Sequence, residues 1–303
     1  MESALDRTPR GARVAVIRLR SLGDCILTTP ALAILHQSRP DLAIAVVVED
    51  RFRQVFEGNP DVNELLSPSV RELRKWRPRL CLNLHGGNRS TLLTALSGAG
   101  IRAGFAHHRG RAAYNVRIPT AQQVLGISRT THTAEQLASA VFYLGVPLGE
   151  IPKARLFADT PQAARPYAVL HAMAAGPAGK TWPAEGFLAV ARHLAGSHGL
   201  EPVFVGGAED DFSAFQGYRV LAGAPFGQIK SLMAGASLFV GNDSGPAHMA
   251  AAFGVPVAVI FGRTDPAVWG PWKTVCETVV ARGPVESVSV EEVLAAVDRL
   301  RVA

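Results

Sequence analysis

Asp243, Ser244 and His248 have the types and the spacing to hold one ligand, and that ligand would be an anion. They lie in Leu238 to Gly262, LFVGNDSGPAHMAAAFGVPVAVIFG. An apolar run, Ser237 to Val240, is long enough for a buried strand and no longer. Gly241-Asn242-Asp243-Ser244-Gly245 follows, a cluster of turn formers and helix N-caps. The pattern predicts a small-residue helix from about Pro246 to Phe253, with Gly254 just past its end. A second apolar run, Pro256 to Phe261, completes a strand–turn–helix–strand unit. Asp243 and Ser244 then sit beside free helix amides at a strand's carboxyl end, where open α/β sheets bind ligands. The alternative is an ordinary crossover whose polar turn only caps a helix. His248, one helical turn beyond Ser244, favours the ligand.

Three further loops carry reactive types. Ser21-Leu22-Gly23-Asp24 follows the first apolar run, and an ionised Asp24 can take a proton from a bound hydroxyl. A helix-capping Asp is the plainer account of that position. Ala174-Ala175-Gly176-Pro177-Ala178-Gly179-Lys180-Thr181 comes close to a phosphate-binding P-loop, with Ala174 where the pattern wants Gly. Trp182-Pro183 follows at once, where a P-loop helix should already run, and the loop comes only after a complete α/β half. What survives is Lys180, a cation near a helix N-terminus and suited to an anion. Gly206-Gly207-Ala208-Glu209 offers a carboxylate for ribose hydroxyls, or one that only favours the next helix. The sequence contains no Asp-x-Asp, a common device for holding a metal ion on a diphosphate.

The elements that must position these loops alternate strand and helix. In the first half, strands are expected at Val14–Leu19, Leu42–Val48, Leu80–Leu84 and Ile101–Phe105, with an edge segment at Val62–Leu66. Helices are expected from just after Asp24 to about Ser38, kinked at Pro30 and stopped at Pro40, and over Arg51–Glu57, Thr91–Leu96 and Thr133–Leu144. His107 to Arg117 is basic and loop-like. In the second half come strand Tyr167–His171, helix Ala184–Ala195, strand Pro202–Gly206 and helix Phe226–Ala236, then the unit described above. Ser289-Val290-Glu291-Glu292 is a capping box for a last helix with Val290, Val293, Val297 and Leu300 on one face. This alternation predicts an α/β protein of two doubly wound domains facing a central cleft. Their bounds are 1–152 and 166–303, joined by a linker at 153–165.

Composition narrows the partners. Residues 1–150 carry 19 Lys and Arg against 12 Asp and Glu, and residues 151–303 carry 12 against 13. The whole excess of the net +6 lies in the first half. Such a split fits an anionic partner there, or else a solvated basic surface. Nucleic acid is the weakest candidate, since the basic residues are not interleaved with aromatics and no nucleic-acid motif is present. No run reaches about 18 apolar residues, so no membrane span is expected. The N-terminal sequence lacks the apolar core of a signal peptide. Cys25, Cys81 and Cys276 are far apart and match no metal spacing, which fits reduced thiols in the cytoplasm.

Four ordered motifs carry a resemblance. Arg18-Leu19-Arg20-Ser21-Leu22-Gly23-Asp24 with Thr28-Thr29-Pro30-Ala31-Leu32 resembles the opening motif of the family-9 glycosyltransferases, the lipopolysaccharide heptosyltransferases. Leu84-His85-Gly86-Gly87-Asn88-Arg89-Ser90 is similar to a second, and Lys180-Thr181-Trp182-Pro183 to the family's Lys-x-Trp-Pro. Gly241 to His248, with Phe261-Gly262-Arg263-Thr264-Asp265-Pro266, resembles its most characteristic block.

The resemblance implies a GT-B fold, with the acceptor on an N-terminal Rossmann-like domain and a nucleotide-sugar on a C-terminal one. It implies inverting transfer with no metal and no cofactor. Asp24 matches the family's catalytic base, and Lys180 the residue that meets the donor diphosphate. Thr181, Asp243, Ser244, Gly245 and His248 match donor-binding positions, and Glu209 a ribose ligand. The implied donor is ADP-heptose, and the implied acceptor an anionic glycolipid, the lipopolysaccharide core. A cytoplasmic protein in peripheral contact with the inner membrane follows. The chain departs from the family at Ala172-Met173, where Pro-Gly is usual, and at Asn83, where Asp is frequent; Glu209 to Val220 is also short. The competing expectations are a GT-B sugar-nucleotide epimerase or hydrolase, a Mg²⁺-dependent P-loop NTPase, and a non-catalytic sugar-nucleotide-binding protein.

Overall fold

In the computed structural model, the buried apolar runs become the inner strands of two separate parallel sheets. The structure describes residues 2–160, 165–173 and 181–300. The chain divides into two units, Met1–Leu156 and Phe157–Ala303.

In the first unit β1 (Arg13–Ile17) leads into α1 (Leu22–Ser38), then β2 (Ala43–Val47), β3 (Glu64–Leu66), α2 (Val70–Trp76) and β4 (Leu80–Asn83). After these come α3 (Asn88–Leu96), β5 (Ile101–Phe105), β6 (Val116–Ile118), α4 (Ala121–Leu125) and α5 (Thr133–Tyr143). The sheet order is β3-β2-β1-β4-β5-β6, all parallel. Val14 pairs with Ile44 on one side and Leu80 on the other. β1, with Val14 to Ile17 fully buried, is the central strand because both its faces are apolar. Ala15, Ile17, Ala45, Val47 and Cys81 form a core with Leu73 and Leu93 of the covering helices.

The second unit runs β7 (Tyr167–His171), α6 (Ala184–Ser197), β8 (Glu201–Gly206), β9 (Arg219–Ala222), α7 (Phe226–Ala234) and β10 (Leu238–Asn242). It continues through α8 (Gly245–Phe253), β11 (Val257–Phe261), α9 (Pro266–Trp269), β12 (Cys276–Val280) and α10 (Val290–Arg299). The sheet order is β12-β11-β10-β7-β8-β9, again parallel throughout. α8 ends as its sequence requires, with Gly254 left-handed at φ 79°. Ser289 and Glu292 close the expected capping box of α10: each side chain bonds the other's backbone N–H, at 3.2 and 3.0 Å.

Counted from its own first strand, each unit has the order 3-2-1-4-5-6. The winding direction reverses between β1 and β4 and between β7 and β10. At such switch points the loops beyond the strands' carboxyl ends diverge and leave a crevice for a ligand.

Several elements absent from the sequence expectations are β6, β9, β12, α2, α4 and α9. The Arg51–Glu57 helix is a 3₁₀ turn at Asp50–Val55. The stretch expected as linker opens with residues held by the first unit. Arg155 donates to Asp61 at 2.9 Å, its N–H to Thr29 Oγ1 at 3.0 Å, and Leu156 is buried.

Candidate functional site

β1 ends in a charge. Arg18 follows its last residue and is 6% exposed, with Nη1 3.5 Å from Asp24 Oδ1. Asp24 sits in the first turn of α1, where its carboxylate suits the positive helix end, and its own side chain is 23% exposed. Ser21 donates its hydroxyl to Asp24 Oδ2 at 2.7 Å. Both oxygens are thus oriented while one side stays open to water, as a proton acceptor needs. Burial pulls the Arg18 guanidinium's pKa down, and Asp24's charge opposes that shift. Arg18 Nε is buried without a hydrogen-bond partner. Cys25, next along, is inert: burial pushes its thiol up to about 12.

β4, across the switch point, supplies the opposite wall. Asn83 is fully buried and uses both ends of its amide. Its oxygen accepts from the N–H groups of His85 and Gly86, at 3.0 and 3.1 Å. Its nitrogen donates to Ser90 Oγ at 3.1 Å and Tyr114 Oη at 2.9 Å. An Asp here has no N–H to donate, so the departure from the family pattern has a local structural role. Gly86, at φ 81°, makes the turn, and a side chain there would strike His108.

His85 and His108 are both held neutral. Burial is the main cause in each, with the Arg18 charge adding to it, and His108 falls to about 4. The carboxyl ends of β1, β4 and β5 therefore present a carboxylate, a buried guanidinium and two neutral imidazoles.

The second unit repeats this placement at its own switch point. Asp243 follows β10 and accepts from Thr264 Oγ1, beyond β11, at 2.5 Å. Ser244 is the extended N-cap of α8, and its hydroxyl makes no capping bond. Pro246 carries no N–H and the Ala247 N–H bonds the Ser244 carbonyl at 3.2 Å, so the Gly245 N–H is the first-turn amide left to meet an anion at the positive helix end. Ser244 Oγ instead meets His171 Nδ1, at the end of β7, at 3.2 Å. Burial lowers His171 to about 4, against the pull of Asp210. Gly245 opens α8, and His248 is buried in its second turn at 5% exposure. A histidine 73 residues away in sequence, His171, thus meets Ser244.

Asn242 fixes the approach to this site. Its Oδ1 accepts from the Trp182 N–H and its Nδ2 donates to the Ala172 carbonyl, both at 2.9 Å. Trp182 is buried, with Nε1 on the Val288 carbonyl at 2.9 Å. The segment entering α6 is so pinned to the end of β10. Thr181 is exposed just before that pin, and Lys180 lies outside the described residues, as do the residues from Ala174 to Gly179 of the P-loop-like stretch. Glu209 is exposed on the turn after β8, beside Asp210, which accepts from the Gly207 N–H at 2.6 Å.

Sequence reasoning missed Arg18, Asn242, Thr264 and His171 as parts of these sites. A signal existed for two of them: Arg18 and His171 are polar residues that close continuous apolar strands.

The family model of glycosyltransferase family 9 (heptosyltransferase) matches residues 69–293. The chain belongs to glycosyltransferase family 9. This family-9 chain is therefore a glycosyltransferase. It is 27% identical over 292 residues to lipopolysaccharide heptosyltransferase 3 of Escherichia coli, covering 84% of each chain. Its fold is that of a family-9 glycosyltransferase from Veillonella parvula, at TM-score 0.83 and 23% identity, covering 95% of this chain and 97% of that one. The ADP-heptose lipopolysaccharide heptosyltransferase II of E. coli superposes at TM-score 0.80 and 19% identity, over 95% and 98%. The two α/β units have the GT-B architecture of these enzymes. Among the described residues, no helix of this family-9 enzyme is long and apolar enough to cross a membrane.

Proposed function

We propose that this enzyme transfers heptose from ADP-heptose to a sugar hydroxyl of an anionic lipopolysaccharide core, with inversion and without a metal ion. The pairing that carries this reading is Asp24 with Arg18 and Ser21: an oriented, half-open carboxylate at a switch point. In the reaction, the acceptor oxygen bonds to the anomeric carbon as its proton passes to Asp24. The bond from that carbon to the diphosphate breaks on the opposite face, and ADP departs with the electron pair. Negative charge grows on the diphosphate. Lys180 and the Gly245 amide at the positive end of α8 offset it, the role a metal ion plays elsewhere. Asp243, Ser244, Gly245 and His248 with Thr181 hold the donor on the second unit, and Glu209 holds its ribose.

Two relatives whose names specify heptose and, in one, ADP-heptose support this choice of donor. The basic excess of residues 1–150 supports an anionic glycolipid on the first unit. The same excess supports peripheral contact with an anionic membrane face, from the cytoplasm.

The test is a transfer assay with ADP-heptose and a heptose-deficient core acceptor, run with and without excess chelator. Transfer at an unchanged rate in chelator is expected. Activity that vanishes in chelator and returns with Mg²⁺ contradicts the metal-free mechanism, and ATP hydrolysis without sugar transfer contradicts the substrate assignment.

A further inference from the structure

Two imidazoles and a carboxylate converge on the face of the second unit far from the donor residues. His193, on α6, and His198, its C-cap, both place Nε2 on Asp298 Oδ1 of α10, at 2.7 and 2.8 Å. The ligand atoms of the three all lie within 4.8 Å of one another. His198 lies where α6 hands over to β8, at the amino-terminal edge of the sheet. Asp243 and Ser244 occupy the opposite, carboxyl-terminal edge. The proposed transfer chemistry therefore makes no use of this trio.

We propose that His193, His198 and Asp298 form a binding site for a divalent first-row transition ion, zinc foremost. Imidazole with a single carboxylate is a donor set that suits zinc and its neighbours rather than Mg²⁺ or Ca²⁺. A tetrahedral ion about 2.0–2.1 Å from each donor needs the donors roughly 3.3 Å apart. The present hydrogen-bonded spacings must open by about half an ångström, which small side-chain rotations supply. The scaffold beneath is rigid: Leu194, next to His193, and Val297, next to Asp298, are fully buried in one core.

The surroundings fit a metal in two further ways. Ser197 Oγ lies 3.3 Å from His193 Nδ1. It can accept a hydrogen bond from Nδ1–H, the tautomer whose Nε2 keeps the lone pair that a metal requires, as outer partners of ligating histidines do. The side chains of His193, His198 and Asp298 are 22%, 19% and 52% exposed. Solvent can thus reach the ion and fill the fourth position. A bound ion would tie the last helix, α10, to α6 and stabilise the unit without touching catalysis.

The experiment uses the full chain, free of any histidine tag, and titrates Zn²⁺ by calorimetry with Co²⁺ as an optical probe. Expected are one ion per chain, tetrahedral-type visible bands from Co²⁺, and a thermal midpoint raised by Zn²⁺. His193→Ala and His198→Ala should each weaken binding by roughly tenfold or more, since even outer partners of metal ligands are worth that much. Asp298→Asn should do the same, and Ser197→Ala should weaken it less. Circular dichroism of each variant without metal must match the unsubstituted protein. A variant that fails this check is replaced by the milder His193→Gln or His198→Gln. Absence of stoichiometric Zn²⁺ binding, or equal binding by the double His variant, overturns the proposal and leaves a hydrogen-bonded bridge between two helices.

Discussion

Arg18 and Asp24 stand 3.5 Å apart at the end of β1, the guanidinium buried and the carboxylate partly open. The arrangement is costly for Arg18, because burial outweighs Asp24 in setting its pKa downward. A charge kept under that penalty serves as a positioning device and not as a source of stability.

Arg18→Met replaces the guanidinium by an apolar chain of similar length. The thermal midpoint should hold or rise, while kcat falls by about ten- to a hundredfold as Asp24 loses its orientation. Donor affinity should not move. A lower midpoint together with an unchanged kcat would make Arg18 a structural residue only.

His171 ties stability to pH. Its folded pKa of about 4 lies below the ordinary 6.5 because the ring is buried. On acidification the unfolded chain takes up this proton first, so the stability contributed is complete above about 6.5. It declines as the pH falls from about 6.5 to 4. The full effect is on the order of 3 kcal/mol for a shift of this size. Urea unfolding at pH 7 and pH 4.5 should show the loss, and His171→Gln should shrink it. An equal loss in both proteins would place the titration elsewhere.

Which parts of the molecule the sequence could disclose depended on burial. β1, β7, β10 and β11 are buried on both faces, so each appears as an unbroken apolar run. β9 and β12 are edge strands with half-exposed or alternating residues, and β6 has three residues. Nothing in such short mixed stretches separates strand from loop. α2 has four charged residues among its seven, and Leu73 is the one it buries fully.

Asp24, Asp243 and Ser244 were visible because each is a polar residue in a turn directly after an apolar run. Their partners were not. His171 reaches Ser244, and Asn242 reaches Trp182 and Ala172, only because the sheet places β10 beside β7. That adjacency is a property of strand order, which local sequence does not carry. Asn83 departs from the family pattern, and three of its four hydrogen bonds reach His85, Gly86 and Ser90 nearby in sequence, while the fourth reaches Tyr114, 31 residues on, which local sequence does not place.

Lys180 is assigned to the donor diphosphate on its motif alone. Lys180→Ala should weaken ADP-heptose binding by roughly tenfold or more, the worth of a charged hydrogen bond, and also slow transfer at saturating donor. Calorimetry with the nucleotide-sugar and single-turnover rates separate the two effects. Unchanged affinity with a reduced rate would confine Lys180 to the departing diphosphate; no change in either would remove it from the site.

The central claim is that Asp24 takes the acceptor's proton, and Asp24→Asn tests it directly. The amide is nearly isosteric and still accepts the Ser21 hydrogen bond, so fold and donor affinity should persist. The single-turnover rate of heptose transfer at saturating donor and acceptor is the quantity to measure. A fall of about a hundred- to ten-thousandfold, with donor affinity intact, is predicted for loss of a general base. A rate close to that of the unsubstituted enzyme would show Asp24 to be a helix-capping residue and the base to lie elsewhere.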